Sequence, residues 1–359
     1  MKRLLKMILP AVAITVGMNR PEAEEQGRQS DRGGDRSYFG ERAPGSNPER
    51  FAPGLFSTPG LKTSPVFSAD AKEMFWTHGE SSATGMNACI MSSRLENDRW
   101  TRPAPLPFCI PGSGIADSKP AVTPDGQLLI FASTRPIVGR PDVNAKTKPG
   151  CLNLWHSKRS QGRWGVPVPF SEDFNTSADE DCPSVDAEGN LYFISNRDGT
   201  YRSYVSSRSK GNYSAPEAIS LPGLITCFSA TGQFRIYQVP GRTARSRFDV
   251  FVEFKRDGRW RDAIEISPAL RNHNGFGATA SPDGKFLFFM GDRDGGVDVF
   301  WVKADLLGAA RRIKRNSRWP AQEQRRRMAD IALPVSLPYG PDFCRSQSIS
   351  LRVQLMPVQ

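Results

Sequence analysis

The sequence predicts an all-β chain, and three observations predict it. One turn-and-strand pattern recurs five times between residues 51 and 304. Each turn carries residues suited to a tight reversal, and its flanks alternate apolar and polar residues as strands do. After each pair a third apolar run follows, then a short fourth segment that often contains proline. Four short strands per copy cannot bury their faces alone, but copies stacked around an axis cover one another. The expected fold is a β-propeller of four-stranded blades: five blades, or six if a segment read as loop forms a degenerate one.

The elements follow in order. The first turn is Ser68-Ala69-Asp70-Ala71-Lys72, before the strand Glu73-Met74-Phe75-Trp76. The second is Thr123-Pro124-Asp125-Gly126, before the strand from Leu128, and the third is Asp186-Ala187-Glu188-Gly189, before Leu191-Tyr192-Phe193-Ile194. Ser229-Ala230-Thr231-Gly232 and Ser281-Pro282-Asp283-Gly284 introduce the fourth and fifth, before the strands from Phe234 and Phe286. Proline presets φ in such a turn, aspartate bonds its own backbone and glycine takes the position with φ > 0. Third strands are expected at Ala88-Cys89-Ile90-Met91, Leu152-Asn153-Leu154-Trp155, Tyr204-Val205-Ser206, Asp249-Val250-Phe251-Val252 and Asp298-Val299-Phe300-Trp301. A charged turn with Trp100, Trp164 or Trp260 comes next (Tyr213 in the third copy), a recurrence that reads as packing between blades.

From turn to turn the spacing is 55, 63, 43 and 52 residues, and a loop insertion at 136–150 accounts for the longest step. The fifth copy stops after its third strand. Residues 51–57 resemble a fourth strand, so their pairing with the fifth copy would close the ring and leave few open edges.

Charge locates the ends of the domain. The formal charge is +11, from 48 Lys and Arg against 37 Asp and Glu. Residues 305–359 hold 10 basic and 4 acidic side chains, while 51–304 hold 29 and 26. The body is therefore nearly neutral, which argues against nucleic acid as its partner. Residues 305–359 read as a basic, disordered tail. At the other end, three cations within residues 1–6 precede an apolar stretch at 7–17, the pattern of an export signal over 1–19 and too short to span a membrane. No cysteine follows it to suggest a lipid anchor. Residues 20–50 read as a flexible linker, and the chain is expected to be periplasmic or secreted.

Here a family resemblance enters. The Ser281-Pro282-Asp283-Gly284-Lys285 turn, Ser195-Asn196-Arg197-Asp198-Gly199, Gly291-Asp292-Arg293-Asp294-Gly295 and Asp298-Val299-Phe300-Trp301-Val302 resemble the WD40-like (PD40) repeats of TolB-type β-propellers. The resemblance spans 51–304 and departs at Ala71 and at Ala230-Thr231-Gly232. It implies the fold and no particular reaction.

Candidate chemistry is sparse. There is no G-x-S-x-G elbow, no C-x-x-C and no H-x-x-x-H, so neither a nucleophile, a metal nor a cofactor is indicated. Cys182 and Cys227 read as small buried hydrophobes, and Cys89 and Cys109 could pair in an oxidising compartment. Carboxylates are the remaining set. Asp117 leads into the second copy, and Asp179, Glu180 and Asp181 lead into the third, where inner strands begin near a channel rim. These four are the candidate acids for a glycan-directed hydrolase, which needs a pair about 5–10 Å apart. The same face supplies the expected ligand contacts Asp117, Lys119, Glu180, Asp181, His273 and Asn274. The leading expectation is a non-enzymatic scaffold that binds a protein, peptide or glycan there.

Overall fold

The computed structural model describes residues 38–56, 60–82, 85–139, 152–221, 223–241, 248–270, 273–293 and 296–304. The expected signal at 1–19 and tail at 305–359 lie outside the described residues. Those described form a five-bladed β-propeller whose neighbouring strands are antiparallel.

Blade I runs from a split inner strand, Leu61–Lys62 and Val66–Phe67, through Glu73–Ser82 and Gly85–Glu96 to Arg99–Trp100 and Ala104–Pro105. Blade II takes Asp117–Val122, Leu128–Ser133, Asn153–Ser160 and the outer pieces Arg163–Trp164 and Val168–Pro169. Blade III takes Glu180–Val185, Leu191–Ser195, Arg202–Ser206 and Glu217–Ala218. Blade IV takes Leu224–Phe228, Phe234–Pro240, Phe248–Arg256 and Arg259–Glu265. Blade V contributes Phe276–Ala280, Phe286–Arg293 and Gly296–Lys303, and its outer strand is Glu49–Arg50. Ring closure therefore falls just ahead of the expected 51–57 segment: Glu49 faces Trp301 and Arg50 faces Phe300. Phe51 and Phe56 are buried against Trp76, Phe288 and Trp301, so they fill the gap between blades V and I as a wedge. Residues 38–50, read from the sequence as linker, belong partly to this closure, with the Tyr38 ring 5.6 Å from that of Phe288.

Each inner turn is built the same way. A residue at its start caps the reversal: Ser68, Thr123, Ser229 and Ser281 accept the backbone N–H of Glu73, Leu128, Phe234 and Phe286 at 2.9–3.0 Å. Asp186 replaces the hydroxyl in blade III and accepts from Asn190 N at 2.8 Å. Gly126, Gly189, Gly232 and Gly284 stand at φ of 66° to 88°, and Ala71 occupies the same place at 59°. An alanine there costs roughly 1–2 kcal/mol that glycine avoids.

Every gap between blades has its own apolar core, such as Phe75, Ile90, Leu129 and Trp164 between I and II. The tryptophan expected to pack between blades does so at Trp164, edge-on to Phe75 at 6.0 Å and under Arg159 at 4.1 Å. Hydrogen bonds then run around the axis. Lys119 N donates to Thr77 Oγ1 at 2.8 Å, and Lys119 Nζ to Asp181. Ile225 N donates to Ser203 Oγ at 3.1 Å, Thr226 Oγ1 to Ala278 O at 2.8 Å and Thr279 Oγ1 to Pro65 O at 2.7 Å. All five junctions are tied. The inner strands of blades II to V also shift register midway, and a bulge of this kind bends a strand and re-aims its side chains.

Candidate functional site

The leading ends of the inner strands hold the acids that the sequence singles out. Asp117 is 1% exposed and faces Ser133 across the hairpin. Its Oδ1 accepts Ser133 Oγ at 2.7 Å and Arg135 Nε at 2.9 Å, and its Oδ2 accepts Arg135 Nη2 at 2.6 Å. The guanidinium also reaches Phe108 O at 2.8 Å, on the segment arriving from blade I. Glu180 repeats this arrangement one blade on. It is fully buried, faces Ser195, and accepts from Thr176 Oγ1 at 2.6 Å, Ser195 Oγ at 3.2 Å and Arg197 Nη2 at 3.3 Å. Arg197 donates in turn to the carbonyls of Asp173 and Phe174. Burial pushes the Glu180 carboxyl up to about 7 against the pull of Thr176 and Arg197. Each assembly is a clamp: a buried acid holds a Ser-x-Arg corner, and the arginine ties down the incoming loop.

The other predicted residues lie around these clamps. Asp181 is buried and accepts Lys119 Nζ across the gap between blades II and III, while its Oδ1 accepts Cys182 N at 2.7 Å. Lys119 and Cys182 both have positive φ, 52° and 48°, at the bulges of their strands. Such strain costs of order 1–3 kcal/mol at each position, and the Lys119–Asp181 pair joins the two strands beside it. Asp179 accepts Leu152 N at 3.2 Å and Tyr201 Oη at 2.8 Å, and so organises the loop into blade III. On blade V, His273 stacks on Phe300 at 4.0 Å and Asn274 Nδ2 donates to Asp292 Oδ2 at 2.8 Å. The structure thus joins Lys119 to Asp181, gives Asp117 and Glu180 separate clamps, and sets His273 and Asn274 on another blade. Among the described residues no three His, Cys, Asp or Glu side chains converge to hold a metal ion.

The trailing ends of the same strands differ. Just before and within the five inner turns lies a cavity of about 90 Å³ to which every blade contributes. None of the seven residues singled out from the sequence lines it. Pattern reading gave no reason to look there, because its walls are small residues that carry no obvious chemistry. The signal available was positional: the same offsets from each turn, five times.

Two cysteine pairs resolve differently. Cys89 and Cys109 form a disulfide that ties the third strand of blade I to the segment entering blade II. Cys182 and Cys227 are free thiols, pushed up by burial to about 12 and about 11, values that leave almost no thiolate at neutral pH. His156 is held down at about 4 by burial and by neighbouring Lys158, and its Nδ1 has no hydrogen-bond partner.

No family model matches the chain, and no curated protein matches it in sequence. Similar solved structures include TolB from Acinetobacter baumannii, 14% identical over 69% of this chain and 53% of that one, with a TM-score of 0.43. The alignment thus spans about half the length of that protein. A putative TolB from Agrobacterium tumefaciens is 16% identical over 69% of this chain and 79% of its own, at 0.41. The catalytic domain of a GH62 α-L-arabinofuranosidase from Coprinopsis cinerea is 11% identical over 69% and 93%, at 0.41. Among the described residues no helix is long and apolar enough to cross a membrane.

Proposed function

We propose that this chain is a non-enzymatic, extracytoplasmic propeller of WD40-like (PD40) repeats that binds a protein, peptide or glycan at the leading face of its channel. One observation carries the reading: the candidate acids there are engaged in holding the scaffold. Asp117 and Glu180 are enclosed with arginine, serine and threonine donors, and Asp181 with Lys119. Such groups keep a rim rigid, and a rigid rim with variable loops is how propellers present binding sites. In this reading Lys119, His273 and Asn274 face the ligand, while Asp117, Glu180 and Asp181 support them. No cofactor and no nucleic acid take part. The Cys89–Cys109 disulfide supports an oxidising compartment, in line with the basic and apolar start of the chain.

A second reading has one observation in its favour. The Glu180 carboxyl, raised to about 7, has the proton affinity of a general acid, so Asp117, Asp179, Glu180 and Asp181 could serve a glycan hydrolase. One experiment separates the two. The full chain is immobilised and probed with a glycan array and a peptide library, and any bound glycan is assayed for reducing ends. Saturable retention that falls at least tenfold in Lys119→Glu or His273→Ala, with no cleavage, is expected. Cleavage abolished by Glu180→Gln would replace the scaffold reading, and retention of nothing would remove both.

A further inference from the structure

The trailing cavity is a separate feature, and its residues follow a rule. Two positions before the five turn caps stand Val66, Ala121, Ser184, Cys227 and Thr279; one position after them stand Ala69, Pro124, Ala187, Ala230 and Pro282. All ten line the cavity. Five blades that fill their interfaces with phenylalanine and tryptophan spare every large side chain at these two levels except the neighbouring Phe67 and Phe228. The space they leave is partly open to solvent.

The lining also holds an unsatisfied donor. Ser184 is 6% exposed and its Oγ has no hydrogen-bond partner. The other hydroxyls of the lining are engaged: Thr279 Oγ1 donates to Pro65 O, Thr226 Oγ1 to Ala278 O, and Ser229 Oγ accepts from Phe234 N. Among the described residues no Lys, Arg or His lines the space. Asp186 does, with its carboxylate oxygens taken by Asn190 and Tyr192.

We propose that this cavity is a binding site for a compact, uncharged, branched aliphatic group bearing a hydrogen-bond acceptor, which takes the Ser184 hydroxyl. Size sets the class. A closed cavity of about 150 Å³ admits benzene; this one, about 90 Å³ and partly open, has room within it for an isopropyl or isobutyl group. Charge sets the rest: Asp186 repels a carboxylate, and no cation is present to offset it. The group could arrive as a free small amide, or on a peptide whose leucine-like side chain enters the cavity while a backbone carbonyl accepts from Ser184.

The test is a methyl NMR titration of the full chain, reading Val66, Val185 and Thr279. The probes are isobutyramide, N-acetyl-leucine methylamide, and isobutyrate as the charged isostere. Saturable shifts at these methyls are expected with a neutral probe, with isobutyrate at least tenfold weaker. Ser184→Ala should weaken binding roughly two- to tenfold, the worth of one hydrogen bond, and Ala230→Leu should abolish it. Binding by isobutyramide identifies a free ligand, and binding by the leucine derivative alone identifies a peptide-borne one. Absence of saturable shifts with both neutral probes on the unmutated chain overturns the proposal, as does undiminished binding in Ser184→Ala.

Discussion

The two ends of the inner strands share a repeat but treat polar groups in opposite ways. At the leading end, Asp117 and Glu180 are buried charges surrounded by donors, and each arginine that pairs with them also secures a neighbouring loop. At the trailing end the side chains are small, and Ser184 keeps an unmatched hydroxyl. The difference teaches that a fivefold frame can place its cohesion and its free space on the same strands, provided they sit at different heights along the axis.

Four experiments would break or sharpen that contrast, and the largest concerns the clamps. Arg135→Ala strands a buried carboxylate and should lower stability by about 3–5 kcal/mol in denaturant unfolding. Arg197→Ala should lower it less, because Glu180 already titrates near 7 and can take up a proton. Equal losses would mean that the carbonyl contacts, and not the acids, carry the clamps. Next comes the disulfide. Replacing Cys89 and Cys109 by serine should cost about 3 kcal/mol, read as a lower melting temperature that dithiothreitol no longer changes.

The pH dependence should show two opposed slopes. Glu180 is raised in the fold, so its contribution is present at low pH and falls as pH rises from its unfolded value of 4.5 through about 7. His156 is depressed in the fold, so its contribution is present above 6.5 and is lost as pH falls toward about 4. Each spans at most roughly 3 kcal/mol. Glu180→Gln should remove the first slope and His156→Gln the second. A pH profile unchanged in both variants would show that neither group titrates as placed.

The smallest effects are gains. Ser184→Ala removes an unsatisfied buried donor and should raise stability by about 1 kcal/mol. Ala71→Gly relieves the left-handed alanine and should give about 1 kcal/mol, a rise of roughly 2–4 °C in Tm. A loss at Ser184 would mean that its hydroxyl has a partner in solution.

Much of the frame was legible in the sequence. Turn chemistry located all five inner hairpins, and periodic apolar runs located the third strands, because a tight turn and a two-residue alternation are local properties. Closure was legible to within two residues, since Phe51 and Phe56 looked like strand residues but serve as a wedge. The clamps were hidden. Ser133-Thr134-Arg135 and Ser195-Asn196-Arg197 read as turn formers, and their acids lie 16 and 15 residues earlier. Only the hairpin register brings each pair together, and a bulge in each inner strand shifts that register. The cavity was hidden for another reason. Hydropathy patterns report what a position contains, whereas this site consists of what five positions leave out.

The pairing of Glu49 with Trp301 has a consequence for biogenesis. The outer strand of blade V is made first and its partners last, so the earliest residues of the ring wait for nearly the whole domain to be synthesised. At 5–20 residues per second that interval is roughly 10–50 s. Throughout it, Phe51 and Phe56 lack the Phe288 and Trp301 surface that buries them. Completion is thus governed by a contact between residues about 250 positions apart, the kind that slows folding most. The final fold of such a ring cannot be reached until its last blade has emerged.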